Sequence, residues 1–162
     1  MKATALTLLI FLCFFQIGFS QTKKPTPEQQ RLSFLKGHWT IEGSESSYLE
    51  VCDLIQGNHI QCISTSKEKE GIDSSVSYLS YSSLEKTYVY YGLYGSGSSR
   101  TLKGNWVADK LILEGQRLTE EKKTKWKVTL TPVNKDLHFV QEVSTNDGPW
   151  EKNADFMYKR IQ

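Results

Sequence analysis

The chain has 162 residues and a formal net charge of +2, with 38% hydrophobic and 23% charged residues. This length and composition are typical of one globular domain and exclude a fibrous or low-complexity chain. Acidic and basic residues are interspersed along the sequence. The sequence therefore offers neither the basic stripe that binds nucleic acid nor the polybasic block that binds a lipid surface.

Residues 1–20 have the order of a secretory signal peptide. Lys2 precedes the apolar run ALTLLIFLCFF, and Gly18 and Ser20 place small residues two positions apart. The apolar run is shorter than the roughly 20 residues that a helix needs to cross a bilayer. We therefore expect cleavage after Ser20 and an exported protein, periplasmic or secreted, with no membrane span in its mature chain.

A polar N-terminal segment is predicted over residues 21–30, ahead of a barrel domain over residues 31–162. Thr26 is suited to be the N-cap of a short helix, since Pro27 follows it at the first helical position, where a missing N–H costs nothing. Gln29 can complete a capping box with Thr26. The sequence therefore predicts a helix of two or three turns before the first strand.

From Trp39 onward, short runs rich in Val, Ile, Thr, Tyr and Trp alternate with turn residues at the spacing of an all-β domain. The clearest run is KWKVTLTPV, in which apolar and polar residues alternate as they do in a strand with one buried face. We count about ten strands, and their short connections require antiparallel neighbours. Because only closure removes both exposed edges, an up-and-down barrel is favoured over a sandwich.

The stretch FLKGHWTIEG predicts how one end of this barrel is sealed. Gly37 is expected to end the helix and allow a tight turn into the first strand. Trp39 would then lie across the barrel end with its indole against the core. Arg160 or Lys159 from the last strand would stack on the face of that indole.

Gly-x-Trp after a short helix, with a basic residue in the final strand, resembles the calycin superfamily of lipocalins, fatty-acid-binding proteins and nitrobindins. The succession SYLSYSSLEKTYVYYGLYGSG, LKGNWVADKLILEG, KWKVTLTPV and DGPWEKNADFMYKR is similar to the bacterial family called domain of unknown function 1579. That similarity covers nearly all of residues 32–160 and implies a calycin-like barrel without an established chemistry. Nitrobindins hold haem through a histidine near the last strand, and residues 147–162 contain none. We therefore expect no cofactor.

Cys52 and Cys62 flank the triplet Gln56-Gly57-Asn58, which is suited to a three-residue hairpin loop. That loop would set the two cysteines directly opposite each other, at a separation that a disulfide accepts. An exported chain meets an oxidising compartment, so we predict a Cys52–Cys62 disulfide. The alternative is a metal site that adds His59, but His59 would point to the opposite face of its strand. We therefore predict no metal.

The aromatic hydroxyls between residues 78 and 94 exceed what a purely apolar core requires, and they suit the wall of a cavity for an amphipathic small molecule. Arg100 and Arg117 are candidates to meet a ligand carboxylate at the cavity mouth. The alternative is a structural or interaction module whose barrel is filled by its own aromatic side chains. The candidate cavity-wall residues are Tyr78, Tyr88, Tyr90, Trp106, Trp126 and Glu142.

An enzyme that uses Glu142 or His138 as an acid or base is a third hypothesis. The three histidines of the chain have no metal-type spacing, and the sequence has no Gly-x-Ser-x-Gly nucleophile elbow. We therefore expect a non-enzymatic barrel that binds a small hydrophobic ligand. The sequence leaves the oligomeric state open.

Overall fold

The computed structural model describes residues 24–56, 58–118 and 122–161. The predicted signal peptide, residues 1–20, lies outside these ranges. A short α-helix, α1, spans Pro27–Gln30 and continues as a 3-10 helix over Arg31–Leu35. The strands that follow are β1 Gly37–Ile41, β2 Tyr48–Ile55, β3 His59–Glu68, β4 Gly71–Ser82, β5 Thr87–Tyr94, β6 Ser99–Val107, β7 Lys110–Leu118, β8 Lys123–Val133, β9 Asp136–Thr145 and β10 Glu151–Arg160.

The ten strands form one closed barrel in which each strand pairs antiparallel with the next along the chain. Closure comes from β1 and β10, where Trp39 lies opposite Arg160 and Ile41 opposite Tyr158. The prediction of an all-β, antiparallel up-and-down barrel with a short N-terminal helix is confirmed. The closed arrangement leaves no unpaired strand edge, which is the reason that the sequence favoured a barrel over a sandwich.

The helix begins where the capping signals predict. The Thr26 hydroxyl accepts a hydrogen bond from the Gln29 backbone N–H at 3.3 Å, and the Gln29 side chain accepts one from the Thr26 N–H at 2.8 Å. Leu32 and Leu35 are buried on the face that meets the barrel. The helix therefore packs over one end of the barrel and contributes to its core.

The end of the barrel under the helix is closed around Trp39, which is only 3% exposed. Its indole Nε1 donates to the Leu35 carbonyl at 2.8 Å, and the Arg160 guanidinium lies 4.2 Å from the ring centre. Arg160 also donates to the carbonyl oxygens of Phe34 and Lys36 at the end of the helix. The helix, the first strand and the last strand are joined at this end by one arginine.

The turn into β1 uses Gly37 in a different way from a helix cap. The 3-10 helix ends with Lys36 in extended conformation, and Gly37 follows as the first residue of β1 with a φ of 144°. Residues other than glycine rarely adopt that φ. The expected tight turn therefore occurs at Gly37, which is the first residue of the strand and not a left-handed helix cap.

Alternate residues of each strand face the barrel interior. On β2 the residues that face the interior are Tyr48, Glu50, Cys52 and Leu54. On β4 Leu79 is buried, which shows which alternate residues of that strand face the interior. The interior is therefore formed mainly by leucine and aromatic side chains, among which Leu102, Leu111 and Leu113 are at most 1% exposed. This alternation decides which side chains can line a cavity.

Candidate functional site

A cavity of about 130 Å³ lies inside the barrel, and every strand except β1 contributes to its lining. Most of its wall is apolar and includes Leu35, Leu79, Leu102, Leu113, Val128 and Phe139. A volume of this size can hold a molecule of about one aromatic ring, since an engineered apolar cavity of about 150 Å³ in another protein binds benzene. The interior is therefore neither completely filled nor wide enough for a long-chain lipid.

A carboxyl group lies within this mostly apolar cavity. Glu50 faces inward from β2 and lines the cavity together with Tyr158 of β10. The Tyr48 hydroxyl donates to Glu50 Oε2 at 2.7 Å, and the hydroxyl oxygens of Tyr48 and Tyr158 are 3.3 Å apart. These three side chains form a polar cluster, Tyr48–Glu50–Tyr158, beside the mostly apolar cavity wall.

Burial is the largest influence on the pKa values of Glu50 and Tyr158 in this polar cluster. Loss of solvation raises the pKa of the Glu50 carboxyl above its usual range, and the hydrogen bond from Tyr48 offsets this only in part. Burial likewise raises the pKa of the Tyr158 hydroxyl, and the neighbouring Glu50 carboxyl raises it further. The neutral, protonated form of Glu50 is therefore favoured relative to a carboxyl group in water.

Arg100 lines the same cavity from β6. Its Nη1 donates to the Gln141 side-chain oxygen at 2.7 Å, so the pair reaches across the interior from β6 to β9. The guanidinium carbon lies 4.6 Å from the centre of the Trp126 ring and 5.5 Å from that of Tyr94. Within the described ranges, no carboxylate lies within ion-pair distance of Arg100. The cavity thus has a guanidinium next to two aromatic rings, and it forms no ion pair with a carboxylate in the part of the chain that the structure describes.

Of the predicted wall residues, Tyr90 lines the cavity. Tyr88 and Trp106 face inward nearer the helix: the Tyr88 hydroxyl donates to the Glu28 carbonyl at 2.8 Å, and Trp106 packs edge-on against Phe34. Trp126 lies at the rim, where it supports Arg100 and borders shallow surface depressions. Tyr88, Trp106 and Trp126 therefore belong to the two ends of the barrel, and the cavity wall lies between them.

Tyr78 and Glu142 do not line the cavity, and their placement there was wrong. Tyr78 precedes the inward-facing Leu79, so its side chain lies on the outer surface, where its hydroxyl accepts from Gln61 Nε2 at 2.9 Å. Glu142 also points outward, next to the inward-facing Gln141, and forms an ion pair with Lys127 at 2.6 Å. Strand alternation requires each residue to lie on the face opposite its inward neighbour.

The acid–base pair considered from the sequence also lies on the outer surface. His138 Nε2 is 2.7 Å from a carboxylate oxygen of Asp155 on β10, and it shares the outer face of β9 with Glu142. Arg117, the second arginine considered for the mouth, is exposed at the rim. The side chains of His138 and Glu142 face away from the interior, so they offer no support for catalysis in the cavity.

The predicted disulfide is confirmed. Cys52 and Cys62 are bonded at 2.03 Å across β2 and β3, in the register set by Ile55 opposite His59. Both sulfurs face the interior, and the Glu50 carboxylate lies within 4.8 Å of them. Sulfur atoms bonded to each other are not thiolate ligands, so these three residues form no metal site in the oxidised protein.

Sequence reasoning missed Glu50, Tyr48 and Tyr158. One signal was available in YLEVCDLI. Tyr48, Glu50 and Cys52 are every second residue of a strand, so they lie on one face, and a buried disulfide at Cys52 would turn that face inward. Tyr158 lies opposite Ile41 in the closing strand pair, so only closure of the barrel brings it to Tyr48.

The fold and its interior define a closed ten-stranded antiparallel β-barrel with a small internal cavity. No protein-family model matches this chain, and no curated protein matches it. The similarity to domain of unknown function 1579 thus stays a prediction. Among the helices within residues 24–161 that the structure describes, none has the length and apolar character of a membrane span.

Proposed function

We propose that this protein is an exported barrel that binds one small, mostly apolar molecule in its interior. The observation that carries the proposal is that a single cavity contains both the Glu50 carboxyl group and the Arg100 guanidinium, which has no ion-pair partner among the described residues. Placing either group in an apolar interior costs free energy that a packed core would avoid. Polar groups that converge on an apolar cavity are the usual arrangement of a ligand site.

The cavity volume limits the ligand. At about 130 Å³ it suits a molecule of about one ring, whereas drug-sized ligands occupy pockets of about 300 to 1,000 Å³. A fatty acid with a long chain and haem are both too large for this space. Burial of the ligand's apolar surface would drive binding at roughly 25 cal/mol per Å².

Export is supported by two independent features. The Cys52–Cys62 disulfide is typical of proteins that fold in an oxidising compartment. Residues 1–20 have the order of a signal peptide. We expect the protein recovered from the cell envelope or the medium to begin at Gln21, and mass spectrometry of the intact protein would detect any other start.

Ligand binding is tested by native mass spectrometry of the protein purified from its own envelope, followed by calorimetric titration of one-ring compounds. Ser77 lines the cavity, so Ser77→Leu would fill part of it. Ser74 on the same strand is exposed, and Ser74→Leu is the matched control. We expect Ser77→Leu to abolish binding and Ser74→Leu to retain it.

The alternative of a structural or interaction module makes the opposite prediction. If Ser77→Leu raised the melting temperature and no small molecule bound the unmodified protein, the cavity would be a packing defect. That outcome would overturn the binding proposal and leave the outer surface as the site of function.

A further inference from the structure

One oxygen of Glu50 lies next to a sulfur atom inside the cavity. Its Oε2 accepts from the Tyr48 hydroxyl, while its Oε1 lies 3.7 Å from Cys52 Sγ. Cys52 is in a disulfide and carries no proton, so it cannot donate to Oε1. The Tyr158 hydroxyl, which also lines the cavity, is a second group that hydrogen-bonds the Glu50 carboxyl. A molecule in the cavity would find there a group able to exchange a hydrogen bond with a hydroxyl.

Arg100 offers a complementary group. A guanidinium has five N–H donors, and the structure assigns one hydrogen bond from Arg100, to Gln141. The Trp126 and Tyr94 rings lie near the guanidinium carbon and accept no conventional hydrogen bond from it, so the other N–H groups can bind an anion. Carboxylates bind such an edge through two parallel hydrogen bonds.

The walls between these groups are apolar and aromatic, and they include Leu113, Val128, Phe139 and Tyr90. We propose that the cavity takes a one-ring hydroxy acid, its carboxylate on Arg100, its hydroxyl on Glu50 and its ring between the walls. This inference rests on the proposed function.

Charge balance favours a hydroxy acid over a zwitterionic amino acid. Burial disfavours the charged form of Glu50, whereas the Arg100 guanidinium stays charged and can be neutralised by one ligand carboxylate. A ligand ammonium at Glu50 would instead require a buried carboxylate, whose desolvation is costly. A neutral hydroxyl can hydrogen-bond the Glu50 carboxyl without adding charge to the interior.

The test is calorimetric titration of the full-length mature protein with a series of one-ring probes. The series contains toluene, phenol, benzoate, the three hydroxybenzoates and 4-(aminomethyl)benzoate. We expect the best hydroxybenzoate isomer to bind at least tenfold tighter than benzoate or phenol, because it makes both sets of hydrogen bonds. A tenfold change corresponds to about 1.4 kcal/mol of binding free energy.

Two variants assign the contacts. Glu50→Leu should weaken the best hydroxybenzoate about tenfold and leave benzoate unchanged. Arg100→Met should weaken benzoate and hydroxybenzoate alike and leave phenol unchanged. Circular dichroism checks the folding of each variant. If a variant does not fold, the affinities of the probe series for the unmodified protein test the hydroxy acid proposal.

Three results would overturn this inference. If toluene and phenol bind but a carboxylate adds no affinity, the cavity binds ligands as proposed and the hydroxy acid assignment is wrong. If 4-(aminomethyl)benzoate binds more tightly than every hydroxybenzoate, the group at Glu50 is an ammonium. If no probe binds, toluene included, the proposed function fails and the inference fails with it.

Discussion

The pH dependence of stability should reveal the burial of Glu50. Below about pH 4.5 the carboxyl group is protonated in both the folded and the unfolded chain. Above that pH the unfolded chain releases the proton while the folded protein keeps it, because burial raises the folded-state pKa. Glu50 therefore lowers the free energy of unfolding as pH rises, until the pH reaches its folded-state pKa.

Replacing Glu50 with glutamine removes this titration and keeps the shape of the side chain. The unfolding free energy of Glu50→Gln, relative to the unmodified protein, should rise by about 1.4 kcal/mol per pH unit across that window. For a chain of this length, that gain is equivalent to about 3 to 6 °C of melting temperature per pH unit. The rest of the pH dependence is common to both proteins and cancels in the difference.

Thermal unfolding followed by circular dichroism from pH 4 to pH 9 measures this difference. Glu114→Gln is the matched control, because it makes the same change of side chain at an exposed position on β7. If the Glu50→Gln profile runs parallel to that of the unmodified protein, Glu50 is not desolvated and the reasoning about the polar cavity is refuted.

Three further changes test the scaffold by urea denaturation. The double replacement of Cys52 and Cys62 by alanine opens a loop of sequence separation 10 and should cost roughly 2.7 kcal/mol, with reductant then having no further effect. Arg160→Ala should cost about 2 to 3 kcal/mol, because it removes the contact with Trp39 and two hydrogen bonds to the helix end; a loss below about 0.5 kcal/mol would contradict that role. Thr26→Ala should cost about 1 kcal/mol by removing the N-cap, and an unchanged denaturation midpoint would show that the cap contributes nothing.

The fold was largely predictable because its signals are local. Turn residues at regular spacing fix the number of strands, and short connections force antiparallel neighbours. The three-residue loop between β2 and β3 fixes their register, which brings Cys52 opposite Cys62. The capping box at Thr26 likewise involves residues only three positions apart.

The site was less predictable because it depends on which face of each strand turns inward. Alternation shows that Tyr78 and Leu79 lie on opposite faces, but residues of similar polarity on both faces leave the inward one undecided. On β9 the choice of face places Gln141 inside and Glu142 outside. A correctly predicted strand could therefore still lead to a wrong prediction of the site residues.

The sequence by itself determined an all-β chain of short antiparallel strands, its helix cap and its disulfide, since each depends on neighbours along the chain or across one hairpin. Only the tertiary structure decided that Glu50 shares a cavity with Arg100, and that this cavity holds about 130 Å³. The reason is physical: Tyr158 reaches Tyr48, and Arg100 reaches Gln141, only when the barrel closes and distant strands face one another across its interior.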